Sequence, residues 1–168
     1  DRVARAHEAT DDVEVTGFTI RGSGRELIDD NAAVYVSGAR ALICGNHIFD
    51  MLHGVYVKHA NDCRIVDNTI IGDGAAGDEI TDPVISGFKA GDAMTGEMCG
   101  APLALDRRGN GIHLWNTFGD LIVGNTIRGT RDGVYFSFAS HTLVRGNSIE
   151  FVRYGLHYMY SDDNTFED

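Results

Sequence analysis

Apolar residues occupy alternate positions in short segments of this chain, and the segments recur at a nearly fixed spacing. One segment has the form Gly-apolar-[Tyr or His]-apolar, with Ala in place of Gly in the first copy. Its copies begin at Ala33, Gly54, Gly111, Gly133 and Gly155. A second segment, [Gly or Asp]-Asn-x-Ile, follows four of the copies and places its asparagine at Asn46, Asn68, Asn125 and Asn147. The asparagines are 22 residues apart within each of these two pairs, which is typical of a solenoid.

Alignment of the copies separates the two faces of the first segment. Its apolar columns are Val34, Val55, Ile112, Val134, Leu156 and Val36, Val57, Leu114, Phe136, Tyr158. Because strand side chains alternate between faces, both columns point the same way and are predicted to face the core. The column between them is predicted to face outward as an exposed aromatic ladder: Tyr35, Tyr56, His113, Tyr135, His157.

A second inward set accompanies the asparagines. It consists of Val15, Ile43, Ile65, Ile122, Val144 and Ile20, Ile48, Ile70, Ile127, Ile149. The asparagines fall at the corner between strands, where stacked amides can hydrogen-bond from one rung to the next. The apolar period of two excludes helices. The sequence therefore predicts an all-β protein, a right-handed parallel β-helix with rungs of about 22 residues.

Interruptions and ends define the predicted organisation. Asn68 and Asn125 are 57 residues apart, 35 more than one period, which predicts a single β-helix domain over residues 1–168 with a long inserted loop at about 72–108. A shorter insertion lies near Ser23–Asp30. The final segment stops in mid-rung, and neither end shows a polar cap, which solenoids need. We therefore expect a truncated segment of a longer β-helix.

Charge and composition exclude several classes of protein. The formal net charge is −11, which disfavours binding to phosphate backbones, so no nucleic-acid partner is expected. No apolar run reaches the length of a membrane span. The three cysteines, Cys44, Cys63 and Cys99, form no even disulfide framework. Cys44 and Cys63 fall in strand segments and are predicted to be small packed side chains.

The outward face of the first strand carries the first candidate metal ligands. His157 and Met159 are two residues apart on one strand, about 6.5–7 Å, and imidazole with thioether suits Cu(I). His113 lies two rungs away, roughly 9–10 Å, with Tyr135 between. The alternative is an aromatic ladder that only stabilises neighbouring strands.

A second candidate set lies in the inserted loop. Met94, Met98 and Cys99 place two thioethers and a thiol within six residues, and such soft ligands also suit Cu(I). The alternative is a loop whose methionines fill gaps on the flank of the solenoid. The remaining histidines fall in turns or outward positions and are predicted to be solvated: His7, His47, His53, His59, His141.

Catalytic signatures are missing from the outward columns. A β-helix hydrolase needs paired carboxylates, but these columns contain no Asp or Glu, and Asp132 stands alone beside them, in line with His53, Asn110 and Tyr154. No nucleophile elbow, zincin motif or phosphate loop occurs. The chain is therefore predicted not to be an enzyme.

Two strings are more specific than the repeat, Gly111-Ile112-His113-Leu114-Trp115-Asn116 and Gly155-Leu156-His157-Tyr158-Met159-Tyr160-Ser161. With them, the chain resembles the NosD family of nitrous-oxide reductase maturation proteins. The resemblance implies a periplasmic β-helix that works with the ATPase and membrane subunits of an ABC transporter. It also implies copper as the cargo, a copper carrier and nitrous-oxide reductase as partners, and a role as a copper-binding or docking scaffold.

Two other functions stay open at this point. One is a carbohydrate-binding or carbohydrate-active β-helix, in which exposed aromatic rings stack on sugars. A carbohydrate-binding protein and a docking scaffold would use the same predicted face: Tyr35, Tyr56, Trp115, Tyr135. The other is a structural repeat or adhesion module, which would have no metal affinity and no selective ligand.

Overall fold

The fold is a stack of parallel strands in three sheets, as predicted. The computed structural model describes residues 4–5, 10–73 and 108–168. In all three sheets every pair of neighbouring strands is parallel and comes from successive rungs. A parallel β-helix is therefore confirmed.

The strands of each sheet recur once per rung. Sheet A contains β1 (Ala4–Arg5), β4 (Ala32–Val36), β7 (His53–Lys58), β10 (Ile112–Phe118), β13 (Asp132–Ser140) and β16 (Tyr154–Met159). Sheet B contains β2 (Glu14–Thr16), β5 (Leu42–Cys44), β8 (Arg64–Val66), β11 (Leu121–Val123), β14 (Leu143–Arg145) and β17 (Thr165–Glu167). Sheet C contains β3 (Thr19–Arg21), β6 (His47–Phe49), β9 (Thr69–Ile71), β12 (Thr126–Arg128) and β15 (Ser148–Glu150). A 3₁₀ turn, Leu27–Asp29, lies in the shorter predicted insertion.

The core is the inside of the solenoid, and both predicted inward sets line it. Burial is complete in the middle rungs, as at Val55, Ile112 and Phe136. In the last rung Leu156 and Tyr158 remain 40% and 42% exposed, because β16 is the outermost strand of sheet A in the described part of the chain. Both side chains still face inward as predicted, since Leu156 is in register with Val134 and the ring of Tyr158 contacts that of Phe136 at 5.5 Å between centroids.

The asparagine column forms the predicted ladder. The side-chain amide of Asn46 donates to Oδ1 of Asn68 at 2.9 Å, that of Asn68 to Asn125 at 3.0 Å, and that of Asn125 to Asn147 at 2.9 Å. Each Oδ1 also accepts the backbone N–H of the preceding asparagine. The ladder satisfies buried polar groups at the corner between sheets B and C.

The strand register continues across the long insertion. Val55 pairs with Ile112, Tyr56 with His113 and Val57 with Leu114, the register that the sequence alignment predicts. Residues 74–107, which hold most of the predicted loop, lie outside the described part of the chain.

One glycine column is required for close contact between rungs. A Cβ on Gly133 would lie 2.5 Å from the carbonyl oxygen of Gly155 and 2.5 Å from Cγ2 of Ile149. We expect Gly133→Ala to lower the free energy of unfolding by about 1–3 kcal/mol through overpacking. Gly155→Ala is the matched control, since its Cβ would meet nothing within 4 Å, and should change stability by less than about 0.5 kcal/mol. Equal effects in urea unfolding would contradict this account.

Candidate functional site

The outer surface of sheet A carries the predicted ladder of rings. Parallel register places each ring beside the next. Tyr35 and Tyr56 meet edge to face at 5.4 Å between ring centroids, and Tyr56 stacks on His113 at 4.3 Å. Tyr135 then meets His113 at 4.6 Å and His157 at 4.7 Å. Cross-strand ring contacts of this kind stabilise neighbouring strands.

The middle of the ladder is buried rather than exposed. Tyr56 retains only 2% of its surface, so its predicted exposure is wrong. The cause is His53, whose ring packs against Tyr56 at 5.6 Å and against His113 at 5.3 Å. Tyr35 and Tyr135 are half-buried, and Trp115 is exposed. Of the four predicted docking residues, Trp115 is therefore the most accessible.

His53 is a buried part of this face, and its predicted solvation is wrong. Its Nδ1 accepts the backbone N–H of Asn110 at 2.9 Å. Burial lowers the pKa of His53 to about 4, with a further lowering from Arg131 and an opposing effect of Asp30. The sequence did contain one indication of this burial. His53 aligns with Asn110 and Asp132 at a corner of the repeat, and its side chain packs onto the ladder.

His113 lies in the centre of the stack. Burial lowers its pKa to about 3, assisted by the nearby charges of His53, Lys58 and Arg131. Its Nε2 is buried and has no hydrogen-bond partner among the described residues. The ring of Tyr135 separates His113 from His157, as the sequence predicted, and the two histidines are not brought together as ligands of one ion.

Asp132 has partners that the sequence analysis missed. Its side chain is completely buried, forms an ion pair with Arg153 from the next rung, and has Oδ2 2.8 Å from Nδ1 of His157. Neither partner is a carboxylate, so these contacts do not supply the paired acid that a hydrolase needs. Arg153 and His157 are separated from it by 21 and 25 residues, about one rung each, so column alignment was the only available signal.

Tyr135 links the two predicted ligands on β16. Its ring contacts His157, and its hydroxyl donates to Sδ of Met159 at 2.9 Å. His157 and Met159 both remain partly exposed. Thioether and imidazole are donor types that suit Cu(I), and a shared metal site for this donor pair, His157 and Met159, stays a prediction.

The described residues contain no larger metal cage. No group of three or more His, Cys, Asp or Glu side chains among residues 10–73 and 108–168 is arranged to hold a metal ion. Met94, Met98 and Cys99 lie outside the described residues. Cys63 is buried, and burial raises the pKa of its thiol to about 11, so it stays protonated; Cys44 is half-buried.

An exposed aromatic strip lies beside the donor pair. Trp115, Phe138 and Tyr160 are 37%, 51% and 75% exposed. Trp115 contacts Phe138 at 6.1 Å, and Phe138 stacks on Tyr160 at 5.1 Å. Both Phe138 and Tyr160 have positive φ, 53° and 48°, an uncommon conformation for large side chains. The strip is an accessible apolar surface on this face.

No helix in the described part of the chain is long and apolar enough to cross a membrane.

Comparison with known proteins identifies relatives of this repeat. Residues 91–168 match the family described as periplasmic copper-binding protein (NosD). The chain is 32% identical over 124 residues to the probable ABC transporter binding protein NosD of Stutzerimonas stutzeri, covering 73% of this chain and 22% of that protein. It is 29% identical over 123 residues to the protein of the same name from Pseudomonas aeruginosa, covering 72% and 22%.

The chain spans about a fifth of the length of these curated relatives. Residues 91–168 include three strands of sheet A, β10, β13 and β16, and the two specific strings around His113 and His157. Residues 91–168 of this chain belong to the NosD family.

Proposed function

We propose that this chain is a non-enzymatic, periplasmic β-helix segment that binds Cu(I) on the outer face of sheet A. The observation that carries the proposal is the placement of His157 and Met159 around Tyr135, with His157 also held by a buried carboxylate. The family description as periplasmic and copper-binding supports the location and the metal.

The donor set explains why Cu(I) is preferred to harder cations. Thioether sulfur binds soft Cu(I), whereas Ca²⁺ and Mg²⁺ need oxygen ligands. Two side chains leave room for a further ligand from a partner, which favours transfer over storage. His113 and the loop residues Met94, Met98 and Cys99 remain predicted ligands that the same experiment tests.

The names of the relatives support one part of the proposed biological setting. Their names describe ABC transporter binding proteins, which supports an ABC transporter ATPase and membrane subunit as partners. We propose that a copper carrier delivers Cu(I) to this face and that the copper is destined for nitrous-oxide reductase. The accessible strip of Trp115, Phe138 and Tyr160 would lie under the docked carrier.

Cu(I) titration against a chromophoric chelator without oxygen tests the proposal. The wild type should bind one Cu(I), and His157→Ala combined with Met159→Ala should weaken binding by at least about 100-fold. His47→Ala is the matched control, since His47 is exposed and lies on sheet C. Its affinity should equal that of the wild type.

Further variants distinguish the predicted ligand sets. His113→Phe preserves a ring against Tyr56 and should leave Cu(I) affinity unchanged if His157 and Met159 form the site. Loss of binding only in the combined Met94→Ala, Met98→Ala and Cys99→Ala variant would move the site to the loop. A wild type that fails to compete for Cu(I) would contradict direct binding by this segment.

Carbohydrate binding is a second candidate because of the exposed aromatic strip. Trp115 and Tyr160 present open ring surface, and aromatic rings of this kind can stack on sugars. Binding to a panel of bacterial polysaccharides, measured for the wild type and for Trp115→Ala with Tyr160→Ala, tests it. Saturable binding that is lost in the variant would favour this function over copper handling.

A further inference from the structure

His157 is held by a carboxylate from the preceding rung. Nδ1 of His157 lies 2.8 Å from Oδ2 of Asp132. Arg153 donates from Nε to Oδ1 at 3.0 Å and from Nη2 to Oδ2 at 2.7 Å. The Asp132 side chain has no exposed surface, whereas the imidazole is 25% exposed. A fully buried acid is thus placed directly beneath a partly exposed ring.

The contacts around Nδ1 determine which ring nitrogen carries the proton. Nη2 of Arg153 is also near Nδ1, at 3.3 Å, but a guanidinium only donates hydrogen bonds and a carboxylate only accepts them. An unprotonated Nδ1 would place its lone pair 2.8 Å from a carboxylate oxygen. The shorter contact therefore requires Nδ1–H, and in the singly protonated ring the lone pair is on Nε2.

We propose that Asp132 is a positioning residue that fixes His157 as the Nδ1–H tautomer and leaves Nε2 as the metal-binding nitrogen. Histidines that bind metals commonly donate their other N–H to a carboxylate, which orients the ring and raises its basicity. The use of Nε2 for Cu(I) rests on the proposed function. The tautomer itself does not, since it follows from contacts in the metal-free protein.

Arg153 completes the arrangement by holding the carboxylate. Its two hydrogen bonds to Asp132 form a bidentate pair, the geometry that gives Arg–carboxylate contacts their specificity. The guanidinium also lies 4.8 Å from the ring centroid of Tyr154, which contacts His157 at 5.1 Å. Arg153 therefore fixes the orientation of Asp132 from beside His157, and its nearest contact with the imidazole is at Nδ1 and not at Nε2.

Long-range proton–nitrogen NMR of the histidine rings at neutral pH tests the tautomer in the wild-type, copper-free protein. The His157 signal is assigned by its loss in His157→Gln. We expect Nδ1–H in the wild type and a shift towards Nε2–H in Asp132→Asn. Cu(I) affinity should fall about 10- to 100-fold in Asp132→Asn.

Two variants separate positioning from folding. Asp30→Asn removes a carboxylate from an ion pair with Lys58 and should change neither the tautomer nor the affinity. Arg153→Gln leaves the Asp132 carboxylate in place and should retain Nδ1–H. If Asp132→Asn does not fold, the wild-type tautomer alone decides the proposal.

Each result has one meaning. Nε2–H in the wild type would overturn the inference, as would an Asp132→Asn protein with unchanged tautomer and affinity. Nδ1–H in a wild type that binds no Cu(I) would overturn the proposed function and leave the positioning of His157 by Asp132 supported.

Discussion

Acidification from pH 7 to pH 5 is expected to lower the free energy of unfolding by about 2 kcal/mol. Three buried groups determine this value. The pKa values of His53 and His113 are lowered to about 4 and about 3, chiefly by burial. The pKa of Asp120 is raised to about 6, also chiefly by burial. All three groups titrate differently in the unfolded chain.

The sign follows from proton binding in the two states. At pH 5 the unfolded state protonates both histidines and the folded state neither, so their contribution to stability is lost as pH falls below about 6.5. Asp120 acts in the opposite direction, because at pH 5 the folded state keeps its proton and the unfolded state does not. At pH 5 the chain therefore takes up about one proton when it unfolds. The free energy of unfolding consequently decreases as the pH falls.

Single variants separate the three contributions. In His113→Phe the free energy of unfolding should fall by less than about 1 kcal/mol between pH 7 and pH 5, since one of the two histidine contributions is removed. In Asp120→Asn the free energy of unfolding should fall by about 4 kcal/mol over the same range, because the carboxyl group whose protonation offsets the histidine effect is absent. Urea unfolding at each pH is the measurement. Parallel pH profiles for all three proteins would contradict the assignment of the buried groups.

Asn125→Ala is expected to destabilise the protein by about 3–5 kcal/mol, because several buried hydrogen bonds are lost at once. Oδ1 of Asn125 accepts two hydrogen bonds from Asn68, and its Nδ2 donates to the carbonyl of Ile65 at 2.8 Å and to Asn147. The substitution leaves these partner groups unpaired inside the corner, where Asn125 is completely buried.

An exposed asparagine provides the control for that change. Asn61→Ala alters a side chain on the surface and should change the free energy of unfolding by less than about 0.5 kcal/mol. A loss below about 1 kcal/mol for Asn125→Ala would show that the ladder is not a source of stability. Denaturant unfolding of both variants under identical conditions makes the comparison.

Sequence reasoning predicted the stack because its signal is repeated in every rung. Each copy reports the same alternation, so Val55, Ile112 and Val134 fall in one column by alignment alone, and the structure pairs them. The long insertion did not obscure the register, since the pattern resumes unchanged at Gly111. A fold whose pattern is repeated in this way can be predicted from the sequence alone.

The candidate site was only partly predictable, because its missed members lie at a corner. His53 and Asp132 directly precede the glycines that begin the repeat, where strict alternation no longer gives the side-chain direction. Alternation also predicts the face of Tyr56 but not its burial, which depends on His53 from outside the column. The contact of Asp132 with His157 joins two rungs, so no local motif contains it.

The glycines at the edges of the long insertion pack closely against the backbone of neighbouring rungs. A Cβ on Gly72 would lie 2.5 Å from the carbonyl oxygen of Gly129, and one on Gly109 would lie 2.2 Å from that of Leu52. Both positions thus belong to the stack itself, and β7 pairs with β10 directly. The pairing of these two strands does not need a fixed length of chain between Gly72 and Gly109, and we expect the solenoid to keep its register when that segment is shortened or replaced.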